Sequence, residues 1–143
     1  MATRTAEAEW TGKLTDGKGN LKLESGAFSG AYTFKSRTEE GQRDTNPEEL
    51  LGAAHAGCYT MQLDAFLTQA GYTPTKLHTT AKVTLDKVGE GFEITHIDLS
   101  LEGQVPDISE DEFKQFAEKA KTNCPVSKAL AGTKINLETK FNG

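Results

Sequence analysis

The segment from Asn46 to Gly71 constrains this chain more than any other. Thr45-Asn46-Pro47-Glu48-Glu49 reads as a helix start. Asn46 can cap orphaned amides, Pro47 suits the first helical position because no partner awaits an N–H there, and Glu49 falls where a capping-box residue belongs. With Gly71 as C-terminal cap the helix runs to about Gln69; about 23 residues at 1.5 Å each make it roughly 35 Å long. Leu51, Ala54, Cys58, Met61 and Ala65 recur at steps of three and four and predict its buried stripe, while Gly52, Ala53, Ala56 and Gly57 keep other faces thin. Such a helix is expected to be enclosed by protein, and 143 residues leave little material to enclose it.

The flanking segments alternate instead. Apolar residues between Ala6 and Phe34 follow a period of two, punctuated by Asp16-Gly17-Lys18-Gly19-Asn20 and Ser25-Gly26, which predicts three antiparallel strands near Ala6–Leu14, Asn20–Glu24 and Ala31–Lys35. Ser36 to Thr45 has no periodicity and reads as a loop. Beyond the helix, Thr75–Lys87 and Phe92 to about Glu102 form a hairpin around Val88-Gly89-Glu90-Gly91, with a phase change that suggests either a bulge near Thr95-His96 or burial on both faces. Ser109 and Glu112 open a helix ending near Thr122, Asn123-Cys124-Pro125 caps a short one stopped by Gly132, and Ile135, Leu137, Thr139 and Phe141 mark a last strand. The order is β3-α-β2-α-α-β: an α+β chain with antiparallel sheets around a long central cysteine-bearing helix, in one domain spanning 1–143.

Composition removes several classes of function. Sixteen Lys and Arg against 21 Asp and Glu give a net charge of -5, the wrong sign for neutralising phosphates, so nucleic acid is not an expected partner. No segment approaches the roughly 18 apolar residues of a membrane span, and the first residues hold no signal-like apolar run. The expected setting is the cytosol, where two cysteines serve chemistry or packing rather than stapling.

Cys124 sits at a helix mouth, where free amides favour a thiolate, so local sequence makes it the more acidic thiol; Cys58, in mid-helix, needs a cation from elsewhere. Both could equally be small buried hydrophobes. His55 lies three residues before Cys58, close enough for a shared metal or a dyad, but no further ligand spacing or nucleophile elbow accompanies it, and a helix residue with a local hydrogen bond is the simpler reading. No metal or cofactor is expected. Arg37 stands between a strand and the long helix, where most arginines are solvated.

Thr45-Asn46-Pro47-Glu48-Glu49-Leu50-Leu51-Gly52-Ala53-Ala54-His55-Ala56-Gly57-Cys58, followed some 65 residues on by Asn123-Cys124-Pro125, resembles the OsmC/Ohr family of organic hydroperoxide reductases over nearly the whole chain. Ser36-Arg37 and Ala54-His55-Ala56 are similar to the OsmC branch; the arginine that the Ohr branch carries early in the chain has no counterpart around Leu14-Thr15-Asp16-Gly17. The resemblance implies an OsmC-like dimeric fold and a thiol peroxidase acting in oxidative or osmotic stress. It assigns Cys58 as the attacking thiol, Cys124 as the resolving one, Arg37 as the activating cation and Glu48 as the carboxylate that holds it. The implied partners are an organic hydroperoxide and a separate dithiol reductant whose identity the sequence does not name. The competing reading from another class is a redox sensor or small-molecule-binding protein that uses the same cysteines as a switch.

If the long helix is regular, Glu48 and Cys58 stand ten residues and roughly 15 Å apart along it. Either the helix breaks near Gly52, or Arg37 bridges the gap, or the carboxylate serving one Cys58 comes from another copy. The small residues at Gly52, Ala53, Ala56 and Gly57 favour the last, hence a homodimer.

Overall fold

The computed structural model describes residues 1–143, which divide into two compact units, Met1–Leu50 and Leu51–Gly143. In the first, β1 (Ala6–Thr11), β2 (Lys18–Leu23) and β3 (Ser29–Tyr32) form an antiparallel meander. The strand positions follow the alternation, with ends no more than three residues from those expected. Trp10 stacks edge-on against Tyr32 at 5.4 Å.

A helix, α1 (Phe34–Thr38), takes the place of the last residues expected in the third strand and the first of the stretch read as an aperiodic loop. A single turn is too short to display a hydrophobic period, but its capping signal is local: Thr33 Oγ1 accepts from Ser36 N at 2.9 Å, and Ser36 Oγ accepts from Thr33 N at 2.8 Å. Ser36, nearly fully buried, also donates to Thr45 O at 2.8 Å, and its own carbonyl accepts from Asn46 Nδ2 at 3.1 Å. These bonds join α1 to the start of the next helix.

That helix, α2 (Pro47–Gln69), runs without a break. Asn46 Oδ1 accepts from Glu49 N at 2.8 Å, as a cap should. Glu49 does not return the bond of a capping box; it accepts from Thr45 Oγ1 at 2.9 Å. At the other end Gly71 takes a positive φ of 92°, which a side chain would resist, and Tyr72 N bonds back to Leu67 O at 2.9 Å.

The predicted stripe is not the one the chain buries. In the second unit α2 turns His55, Tyr59, Leu63 and Leu67 inward, each fully buried, while Ala54, Met61 and Ala65 are exposed, Met61 at 75%. Gly52 is buried because β4 passes over it: a Cβ there would lie 3.4 Å from Val83 Cγ2. The thin surface is thus divided, Gly52 serving this chain's own sheet and Ala53 and Gly57 facing out.

The second sheet orders β4 (Lys76–Val88), β5 (Gly91–Gln104) and β6 (Lys134–Phe141). β4 and β5 are an antiparallel hairpin whose register shifts where Thr84 faces His96 and Leu85 faces Ile94, leaving Thr95 as the bulged residue anticipated from the phase change. β6, expected antiparallel, pairs parallel to β5. The reason is connectivity: α3 (Glu110–Asn123) and α4 (Pro125–Ala129) carry the chain back to the starting end of β5, the crossover that parallel pairing requires. Tyr59, Leu63 and Leu67 of α2 share one core with Ile97, Leu99 and Leu101 of β5 and with Phe113, Ala117 and Ala120 of α3. Each fully buried large apolar side chain there contributes about 1.5–3 kcal/mol. Cys124, at the junction of α3 and α4, belongs to the same core. No helix is long and apolar enough to cross a membrane.

Candidate active site

The four residues singled out from the sequence come together as two pairs. Arg37, on α1, grips Glu48, in the first turn of α2, with both prongs of its guanidinium: Nε donates to Oε1 at 3.0 Å and an Nη to Oε2 at 3.1 Å. The fork geometry fixes the guanidinium plane as a single contact would not. The pair is unevenly buried, the Glu48 side chain being 8% exposed and that of Arg37 44%. Because α2 is continuous, the alternative of a break near Gly52 is removed, and ten residues of helix separate Glu48 from Cys58.

The second pair is Cys58 on α2 and Cys124 at the N-cap of α4, both free thiols. Their sulfurs lie 2.9 Å apart, closer than an ordinary non-bonded sulfur contact and near enough to share a proton. Cys58 is half-buried and Cys124 fully buried. Burial pushes the Cys58 thiol above its ordinary range, and the hydrogen bond with Cys124 pushes the same way; a backbone N–H from Val126 pulls it down. An amide at the mouth of α4 therefore acts on Cys58. α4 does offer a free amide, as Pro125 at its start suggests, but the N–H of Val126 bonds to Cys58.

His55 is likewise placed differently from its sequence reading. Its bond is not local: Nε2 meets Ser127 Oγ of α4 at 2.7 Å, across 72 residues. Burial lowers its pKa and keeps the ring neutral. Val126 and Ser127 were not singled out from the sequence. The available signal was Pro125, which starts a helix one residue after Cys124 and so fixes the next residues over that cysteine's neighbourhood.

Chemically, two thiols this close can exchange two electrons for a disulfide with little motion, and the reverse on reduction. The fold and the pair define the class: an α+β dithiol protein with one thiol open to solvent and one closed off. A family model of OsmC-like proteins matches residues 39–140, and the chain belongs to that family. It is 48% identical over 128 residues, covering 89% of each chain, to the peroxiredoxin OsmC of Escherichia coli strain K12. It is 30% identical over 103 residues, 70% of each, to organic hydroperoxide resistance protein-like 2 of Staphylococcus epidermidis. Among solved structures, an OsmC-like protein from Mycoplasma pneumoniae superposes with a TM-score of 0.78 at 19% identity over 99% of both chains. One from Vibrio cholerae gives 0.77 at 17%, over 97% of this chain and 99% of that one. The α+β fold with two small sheets is that of the OsmC-like proteins.

Proposed function

We propose that this protein is a thiol peroxidase that reduces organic hydroperoxides to alcohols in oxidative stress. The observation that carries the reading is the asymmetric pair: a half-buried Cys58 whose sulfur is 2.9 Å from that of a fully buried Cys124. The Cys58 thiolate attacks the distal peroxide oxygen, the O–O bond breaks, and the alkoxide leaves with a proton as alcohol. Cys58 becomes a sulfenic acid; Cys124 attacks its sulfur, water leaves, and a disulfide forms. An external dithiol then supplies two electrons and two protons to reopen it. The names of the relatives, a peroxiredoxin and an organic hydroperoxide resistance protein-like chain, agree with this chemistry.

Arg37, oriented by Glu48, is the cation we assign to the attacking thiolate, since a guanidinium stabilises that anion and can donate to peroxide oxygens. The working unit in this reading is a homodimer. In its support, α2 leaves Ala53, Ala54, Gly57, Met61 and Ala65 exposed along one side, a face a second copy would cover. The two units of each chain act together as one OsmC-like domain, consistent with a family match that runs across their boundary at Leu50.

The test is dithiothreitol-dependent turnover of cumene hydroperoxide against hydrogen peroxide. Burying alkyl groups at about 0.8 kcal/mol per CH₂ predicts an organic preference on the order of tenfold for two methylenes. Cys58→Ser should abolish turnover, whereas Cys124→Ser should permit one oxidation and accumulate sulfenic or higher acids at Cys58. A protein that oxidises once and then stops in the presence of dithiol is a sensor rather than a peroxidase. Light scattering combined with activity on dilution tests the dimer; full activity per chain in a stable monomer would refute it.

A further inference from the structure

His55 takes no part in the chemistry above, yet it is fully buried one turn before Cys58, and its two nitrogens are treated very differently. Nε2 is 2.7 Å from Ser127 Oγ. Nδ1 is buried with no hydrogen-bond partner. A neutral imidazole carries one proton. On Nδ1 that proton would be a buried donor facing no acceptor; on Nε2 it leaves only an unused lone pair at Nδ1, the less costly omission. The ring is therefore the Nε2–H tautomer and donates to Ser127.

Ser127 belongs to α4, directly after Val126, whose N–H reaches Cys58, and three residues after Cys124. α4 is only five residues long and its N-cap Cys124 makes no side-chain capping bond. So short a helix has little internal stability, and its position depends on what it is tied to. Besides the contacts at Cys58 itself, the tie to α2 is the imidazole.

We propose that His55 is a positioning residue: through Ser127 it fastens α4 to α2, so that Cys124 Sγ and the Val126 N–H both stay aimed at Cys58 and the pair closes without a search. The inference rests on the peroxidase reading only for the purpose of closure, not for closure itself. Diamide can therefore drive the test. The Cys58 thiolate adds to an azo nitrogen, Cys124 attacks the Cys58 sulfur, the S–N bond breaks, and the reduced hydrazine leaves with the two thiol protons.

Closure is followed by quenching with an alkylating agent and counting free thiols by mass. Ser127→Ala should slow it by about tenfold, the effect of one lost hydrogen bond, and Ser127→Thr, which restores a hydroxyl, should recover most of the rate. Wild-type closure in Ser127→Ala overturns the proposal. Where Ser127→Ala does not fold, Ser127→Thr against the isosteric Ser127→Val gives the same comparison, and equal rates overturn it. In the unmutated protein, histidine ¹⁵N resonances should show a neutral His55 protonated at Nε2; a proton on Nδ1 refutes the donor role. Diamide closure that follows this pattern in a protein without peroxide turnover upholds the positioning role and sinks the peroxidase reading instead.

Discussion

Replacing Arg37 by alanine should destabilise the Met1–Leu50 unit by about 2 kcal/mol, and replacing Glu48 by glutamine by about half as much. The asymmetry comes from unequal burial of the partners. Glu48, at 8% exposure, has lost nearly all its water and relies on two charge-assisted bonds of 3.0 and 3.1 Å. Breaking a fully buried pair costs about 3–5 kcal/mol and an exposed one about 0–1. Arg37 is 44% exposed, so water partly screens the pair and the expected cost falls between these limits. Glu48→Gln keeps one carbonyl acceptor, removes the buried charge, and sets its amide NH₂ against a guanidinium N–H that water already reaches. The assay is local. Trp10, the one tryptophan of the chain, lies in the same unit against Tyr32, so its fluorescence in urea reports that unit. At a slope of about 2 kcal/mol per molar, the Arg37→Ala midpoint should drop by about 1 M. Equal losses below about 0.5 kcal/mol would mean that solvent screens the pair completely. A larger loss for Glu48→Gln would reverse the burial argument. Under conditions where all variants stay folded, Arg37→Ala and Arg37→Lys should both slow oxidation of Cys58, because lysine keeps the charge but not the fork. Unchanged oxidation would remove Arg37 from the site.

Three further outcomes can be measured. The reductant should attack the disulfide at Cys58, with Cys124 leaving, because Cys124 is the closed-off sulfur; a monothiol adduct trapped on the diamide-oxidised protein and mapped by mass should sit on Cys58, and an adduct on Cys124 would refute this. His55, whose pKa is lowered from 6.5 by burial, binds a proton more readily unfolded than folded. Its contribution is therefore intact above about pH 6.5 and is lost as pH falls below it, by up to about 1.4 kcal/mol per pH unit. Urea titrations should show that slope diminished in a folded His55→Gln, and an unchanged slope would assign it to other groups. Gly103→Ala would drive a Cβ into the fully buried Phe113 ring and should lower stability by about 1–3 kcal/mol. A neutral result by thermal melting would mean that the ring can shift.

What the sequence made legible was local. Asn46, Pro47, Ser109 and Gly71 mark helix ends through bonds to residues a few positions away, and the helices begin and end close to where those residues put them. The bulge at Thr95 was equally local, a change of phase within one strand. Partners distant in sequence were not legible. The parallel pairing of β6 depends on where two helices deliver the chain, and the approach of Cys58 to Cys124 could be assigned only through the family resemblance. The bond from His55 to Ser127 had no signature pairing the two residues; Pro125 marked only the helix that carries Ser127.

The buried stripe of α2 is the instructive case. Leu51, Ala54, Met61 and Ala65 satisfy the helical period, but so do His55, Tyr59, Leu63 and Leu67, one to two positions on and roughly 140° round the helix. The sequence reading takes the first set, and the second contains a histidine and a tyrosine. The chain buries the second because each polar group finds a distant partner: His55 meets Ser127, and Tyr59 donates to Ala117 O at 2.9 Å. Once the polar members are satisfied, the aromatic and leucine side chains contribute more apolar burial than alanines could. The rejected stripe nevertheless keeps its apolar composition, with Met61 three-quarters exposed. On the homodimer reading both stripes are correct as to burial and differ only in what covers them: the first would be closed by a partner copy, the second by this chain's own β5 and α3. Met61→Glu discriminates the two cases. It should split the dimer while leaving the fold intact; a dimer that survives this charge would mean that the exposed face of α2 lies outside the contact.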